Sequence, residues 1–310
     1  MKRVSLYNNQ VEILFDEARH RYSMGENLMG FMVGAQLLSI PSVTGALGVI
    51  NKPALIQWAA NMTVADLLNK TGRAITDTKS LNEFMAEQQQ INRGFHDAPY
   101  LHFSLADLND SRSFHKRRKD EAAEKGKDAH ALLSEMLIPF IGKTTGEFYQ
   151  NCFDTMSLIV LSKSVLSFIV WCKNNPDFKI VGSEQIVFSL IGYAGMYDLT
   201  LQALCDLPGA GGYVGGIPKD TQIVVDFKTG NGIYEDMRLQ ISAYAACIFE
   251  EKKTACHRAL LHLQKDGSEA KFYNYGAEDY EKGAPDFGAF LNCLGLHNWI
   301  RANGWNQGSK

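Results

Sequence analysis

The chain has 310 residues, enough for one large domain or two smaller ones with ample capacity for a core. Its 45% hydrophobic and 21% charged residues are those of an ordinary soluble globular protein, which excludes a disordered or fibrous chain. A formal charge of −3 excludes a globally basic polyanion binder, so any nucleic-acid contact must come from a local basic patch.

Taken in order, residues 4–23 alternate loosely between apolar and polar and contain turn formers, which predicts a small β-hairpin. Ser42-Val43-Thr44 then leads through Lys52-Pro53 into a stretch with Trp58 whose apolar positions recur at helical spacing, and Pro53 suits a first helical turn. Residues 77–92 predict another helix and 93–112 an irregular segment. A basic run follows (Arg112, His115, Lys116, Arg117, Arg118, Lys119) and merges into an amphipathic helix ending near Leu137. The run fits either a solvated helix face or a track for phosphates. Within that helix Gly126 and His130 are four apart and share a face. Taken alone, His130 fits a packed histidine better than a ligand.

Residues 144–174 predict a long apolar helical stretch that Asn174-Asn175-Pro176 stops. The texture then turns strand-like: a strand over 179–190, a turn at 191–195, and a hairpin partner from Met196 to Cys205 that carries Asp198. The Gly/Pro-rich 206–220 reads as a long hairpin loop without the G-K-[ST] of a phosphate-cradling loop. Further strands are expected at 221–228, 257–264 and 270–275, with helices at 235–250 and 277–302. The six cysteines (Cys152, Cys172, Cys205, Cys247, Cys256, Cys293) form no C-x-x-C pair, against a zinc module, an iron–sulfur cluster or a disulfide scaffold. Met1 to Phe15 lacks a sustained apolar segment and no run of about 18 apolar residues occurs, so the expectation is a soluble, cytoplasmic protein without a membrane partner.

The chemistry concentrates on Val224-Val225-Asp226-Phe227-Lys228-Thr229-Gly230. Side chains at i and i+2 of a strand point the same way, so Asp226 and Lys228 present a carboxylate and an ammonium together. Alone, that pair fits an ordinary ion pair on a half-buried strand better than it fits a site. Around it lie Gly126-x-x-x-His130 on a helix, Glu184 and Gly195-x-x-Asp198 on a hairpin, and Gln240-x-x-x-Tyr244 on the following helix.

These residues in this order resemble the RecB-like branch of the PD-(D/E)xK nuclease superfamily. The match runs over about residues 120–275, on His130, Glu184, Gly195 to Asp198, Asp226 to Gly230, and Gln240 to Tyr244. Tyr22, Ser42-Val43-Thr44, Lys52-Pro53 and Trp58 also resemble, more loosely, the leader of phage-encoded exonucleases and of the mitochondrial genome maintenance exonuclease. The resemblance implies an α/β fold with a restriction-endonuclease-like αβββαβ core and mixed sheet over residues 113–310. Residues 1–112 would form a hairpin and mainly helical region that shapes the DNA path. It implies that His130, Asp198, Asp226 and the Phe227 carbonyl bind Mg²⁺ or Mn²⁺. Lys228 would orient or deprotonate the attacking water, and Gln240 and Tyr244 would position the active-site groups and the DNA backbone. Glu184 falls at a variable acidic position, for which a structural role fits nearly as well. Arg112, Lys116, Arg117, Arg118 and Lys119 are the candidate DNA-binding residues.

The chemistry agrees, since carboxylates and a carbonyl suit Mg²⁺ and one imidazole adds tolerance of Mn²⁺. The expected function is a metal-dependent DNA exonuclease of phage or mobile-element origin acting in recombination, repair or replication. Its expected partner is DNA with a free end, beside a recombination or single-strand-binding protein. The alternatives are a structure-selective endonuclease, a non-catalytic DNA-binding or assembly module, and a hydrolase of small phosphoesters.

Overall fold

A computed structural model describes residues 1–25, 39–50, 52–70, 72, 75, 77–91, 105–155, 162–208 and 216–304. The fold is mixed α/β, with two sheets and eight α-helices among the described residues. The chain divides into two units: Met1–Ile50 with Asp128–Lys310, and Asn51–Lys127.

The expected boundary at 112/113 therefore shifts at both ends. The first 50 residues belong with the C-terminal unit, and their described part holds the expected hairpin extended to four short strands, with 26–38 outside the described residues. β1 (Lys2–Leu6), β2 (Val11–Asp16), β3 (Arg21–Met24) and β4 (Ser39–Ile40) form an antiparallel meander, followed by the short α1 (Val43–Leu47). Tyr7, Asn8 and Asn9 turn β1 into β2 in the left-handed region, which asparagine tolerates better than most residues. On β2, Val11, Ile13 and Phe15 point inward, one side of a period-two pattern, and pack with Ile186, Phe188 and Ala194 of the second sheet.

The second unit holds α2 (Pro53–Asn69), which starts on its proline as expected, α3 (Thr78–Ile91) and the first part of α4 (Leu105–Leu137). Ala65, Leu68, Ile75 and Leu81 form its small core, and Asp66 accepts from Ser111 Oγ at 2.6 Å. Residues 105–112 are helical, not irregular, because α4 begins about two turns before the basic run; 92–104 lie outside the described residues.

The 144–174 stretch is two helices, α5 (Thr145–Thr155) and α6 (Lys163–Asn174), with 156–161 outside the described residues. Ser162 caps α6 by accepting from Val165 N. The five-stranded sheet then follows as β5 (Phe178–Ser189), β6 (Tyr193–Ala203), β7 (Gln222–Lys228), β8 (His257–His262) and β9 (Lys271–Asn274), in that spatial order. Pairing is antiparallel except between β7 and β8, which α7 (Glu235–Lys252) connects as a parallel crossover. Of the 206–220 loop, Leu207 and Ile217 are bridged, and 209–215 lie outside the described residues.

Both faces of this sheet are covered, which is why β7 reads as a nearly unbroken apolar run. One face buries Val225, Phe227 and Leu261 against Ala129, Leu133 and Leu137 of α4 and against α5 and α6. The other buries Val224 and Leu260 against α7, α1 and α8 (Pro285–Ala302). α8 starts at Pro285 rather than near 277, since the proline at the first position supplies the helical start.

Candidate active site

The site lies where β6 and β7 part. Their ladder runs from Gln202–Gln222 to Leu199–Val225 and goes no further. Beyond it Phe227 N donates to the Asp198 side chain, Oδ2, at 2.5 Å. Lys228 faces β8, its carbonyl accepting from Leu263 N at 2.8 Å. Backbone direction alternates along a strand, so the N–H and C=O of Phe227 face the gap toward β6.

Helices on opposite faces of the sheet supply the rest. α4 brings His130, whose Nδ1 lies 2.9 Å from Asp198 Oδ1 and whose ring meets Phe227 edge-on, with centroids 5.8 Å apart. α7 brings Gln240 and Tyr244, one turn apart. Gln240 Oε1 accepts from Lys228 Nζ at 2.8 Å, while its Nε2 donates to Tyr244 OH at 2.9 Å and to Asp226 Oδ1 at 3.3 Å. Asp226 and Lys228 share a strand face as the i, i+2 spacing requires. The ammonium stands 2.5 Å from Asp226 Oδ2 in an ion pair. That oxygen is buried and accepts no aligned hydrogen bond.

The two carboxylates titrate apart. Burial raises both, but for Asp198 the imidazole of His130 and the Phe227 N–H outweigh it and hold the carboxyl below its ordinary range. For Asp226 burial wins over Lys228, aided by the Asp198 charge, and its carboxyl is raised. Burial lowers His130, and Asp198 more than restores it, so the imidazolium is favoured. Burial keeps Tyr244 a neutral phenol.

Glu184 sits on β5 within electrostatic reach of Asp198 and His130, and its carboxyl is raised, by burial first and by Asp198 second. Its backbone is left-handed, φ 45°, rare for a residue with a Cβ and a local strain beside the site. Lys2 Nζ donates to its carbonyl at 3.4 Å.

The structure therefore brings together His130, Asp198, Asp226, Phe227, Lys228, Gln240 and Tyr244, with Glu184 at the edge. The basic residues Arg112, Lys116, Arg117, Arg118 and Lys119 are exposed on the part of α4 that belongs to the other unit. Arg117 pairs with Asp110 at 2.8 Å and Arg118 with Glu121 at 3.5 Å, and both guanidinium groups lie over the Phe114 ring.

The donor types (two carboxylates, a carbonyl in the gap and one imidazole) fit a hard divalent cation, and the buried Asp226 Oδ2, which has no aligned hydrogen bond, would accept one once its ion pair with Lys228 opened. The expected set is not assembled as a cage. Among the described residues no three His, Cys, Asp or Glu side chains are grouped to hold an ion, since His130 engages Asp198 and Lys228 engages Asp226.

Three supporting residues are not among those the sequence points to. Ser134 is one helical turn after His130 and lies 3.3 Å from Ser183 Oγ, which also reaches the Asp198 carbonyl at 3.2 Å. The i, i+4 spacing from His130 was a usable signal. His262 stands beside Lys228 on β8 and holds the Gly230 carbonyl at 2.9 Å. Only the parallel pairing of β8 with β7 reveals it.

No protein-family model matches the chain, and no curated protein matches it. Among the described residues no helix is long and apolar enough to cross a membrane.

Proposed function

We propose that this protein is a metal-dependent DNA nuclease with a PD-(D/E)xK-type core, an exonuclease rather than an endonuclease, acting in the cytoplasm. The observation that carries the reading is the convergence at the β6–β7 split. Two acids from adjacent strands, an imidazole from one face and an amide-held lysine from the other meet in one place. The element order helix, β5, β6, β7, α7, β8 supports the same reading.

Asp198, Asp226, the Phe227 carbonyl and His130 would hold Mg²⁺ or Mn²⁺. A bound ion supplies Lewis acidity, lowering the pKa of water and offsetting charge on the phosphate. Holding it requires the Lys228–Asp226 ion pair and the His130–Asp198 hydrogen bond to open. Lys228 is then free to orient the attacking water and to place positive charge beside the phosphate. Gln240 keeps hold of the ammonium through Oε1 and so limits where Lys228 travels. The exposed basic face of α4 offers contacts to the DNA backbone.

The test is digestion of single- and double-stranded oligonucleotides, labelled at each end in turn, with Mg²⁺ or Mn²⁺. Stepwise loss from one end is expected. Asp198→Ala should abolish turnover with DNA binding retained, and Lys228→Ala should lower it by orders of magnitude. If wild-type protein leaves linear DNA of both kinds intact, the reading is wrong. A second reading, a non-catalytic DNA-binding module, is favoured by Asp198 having both oxygens engaged within the protein. Tight binding without cleavage by wild type would select it.

A further inference from the structure

The chain leaves β7 directly after Lys228 and enters the turn from Thr229 to Gly232 that leads to α7. Packing does little to hold that turn. Among the described residues a Cβ on Gly232 would meet no atom within 4 Å, and one on Gly230 would meet only the Gly232 carbonyl, at 3.6 Å. The backbone beyond Lys228 therefore depends on hydrogen bonds from its neighbours.

The neighbouring strand supplies them. The ladder of β8 with β7 ends at the pair His262–Lys228, and Leu263 N donates to the Lys228 carbonyl at 2.8 Å. Past that pair the His262 side chain takes over, its Nε2 lying 2.9 Å from the Gly230 carbonyl. A carbonyl only accepts, so Nε2 is the donor, in the neutral ring and in the imidazolium alike. Lys265 Nζ donates to Asn231 Oδ1 at 2.7 Å, but from an exposed side chain, whereas His262 is 8% exposed.

His262 is itself well anchored. β9 pairs with it through Lys271, and Gln264 Nε2 donates to its carbonyl at 2.8 Å. Gln264 N in turn donates to the buried Ser167 Oγ of α6 at 2.8 Å. A fixed side chain can fix what it touches.

Partners across a ladder lie on the same face of the sheet, about 5 Å apart. Asp226 with Leu260 is one such pair, and Lys228 with His262 is the next on that face. Lys228 thus has the His262 ring along its β8 side and the Gln240 amide of α7 on its ammonium. Its β6 side is the gap where Phe227 N meets Asp198. Once the ion pair with Asp226 opens, the ring blocks movement toward β8 and leaves the gap as the way out.

We propose that His262 is a positioning residue for Lys228: it pins the turn behind the lysine and turns the released ammonium toward the gap. The catalytic readout below rests on the nuclease reading, while the structural readout does not.

The test compares His262→Leu, which keeps bulk without a donor, with His262→Gln, whose amide N–H reaches about as far as Nε2. Both are made in the full chain. The measurements are the Gly230 carbonyl carbon resonance, the Lys228 ε-methylene resonances (identified by their loss in Lys228→Arg) and DNA turnover in Mg²⁺. In His262→Leu both sets of resonances should move, and kcat should fall about tenfold with KM within about twofold. In His262→Gln the resonances should return toward wild type, with kcat within about threefold of it. Unmoved resonances in His262→Leu overturn the proposal, as does equal impairment of the two variants or an unchanged kcat in an active wild type. If His262→Leu does not fold, His262→Asn, whose amide stops short of Gly230, takes its place with the same expectations. Failure of both to fold overturns the proposal, since His262 would then serve the fold. If wild type cuts no DNA while the resonances move in His262→Leu and return in His262→Gln, the positioning stands and the nuclease reading falls.

Discussion

Charge is held in two different ways in this chain. At the β6–β7 split, His130, Asp198, Asp226, Lys228 and Gln240 come from four separate elements, and Asp226 is only 4% exposed. The basic stretch from Arg112 to Lys119 is contiguous, lies on one helix, and turns its charges to solvent. Exposed charges are individually cheap and interchangeable. Buried ones are tolerated only where each is paired or hydrogen-bonded.

Burial alone does not mark chemistry. Arg258 is equally buried, 2.7 Å from Asp286 and 3.1 Å from Glu278, and it also donates to the carbonyls of Gly276 and Tyr275. Arg238 meets the same Asp286 at 2.7 Å. In that cluster each anion meets a cation or several donors. At the split a carboxylate oxygen is left unaligned and two acids are pushed apart in pKa. Such an imbalance is what distinguishes a candidate functional site from a structural network.

The largest effect should break the comparison outright. Asp226→Asn keeps the shape but removes the charge, and DNA turnover should fall about a thousandfold or more, as loss of several kcal/mol of metal-assisted stabilisation implies. Single-turnover cleavage measures it, and a wild-type rate would make Asp226 another Arg258-type structural charge.

Next in size is Arg258→Ala, which strands Glu278 and Asp286 without their shared cation. It should cost about 3–5 kcal/mol of stability in urea unfolding. A cost below about 1 kcal/mol would mean that Arg238 and the backbone suffice for those acids.

Gly195→Ala should be smaller, about 1–3 kcal/mol, because the Tyr244 ring must shift off the added methyl. Unchanged melting together with unchanged turnover would show that Tyr244 yields freely.

The smallest effect on the fold belongs to Arg117→Ala with Arg118→Ala, which should leave melting unchanged. The log–log salt slope of DNA binding should flatten by roughly one unit for each phosphate that is no longer neutralised. An unaltered slope would place the DNA elsewhere.

Much of this was legible in the sequence because it is local. Strand-like texture and the turn at 191–195 placed β5 and β6, the apolar run before Asp226 placed β7, and Pro53 placed the start of α2. The spacings Asp226-x-Lys228 and Gln240-x-x-x-Tyr244 fixed which pairs would share a face, and both pairs meet through Gln240. The start of α4 at Leu105 was missed, since the polar residues ahead of the basic run carry no apolar period. The start of α8 was also misjudged, although Pro285 marked it.

What the sequence by itself determined are the side-chain types and their one-dimensional spacings, set by the strand and helix repeats. Tertiary structure alone decided which of them meet. The end of the β6–β7 ladder turned Asp198 toward Phe227 and His130, the parallel pairing of β8 put His262 beside Lys228, and the bare Gly195 of β6 left room for Val43 of α1 and Tyr244 of α7. Those meetings join residues tens to hundreds of positions apart, and no local propensity encodes them. They exist because two covered faces and a split strand pair leave a gap in which buried polar groups from distant positions satisfy one another.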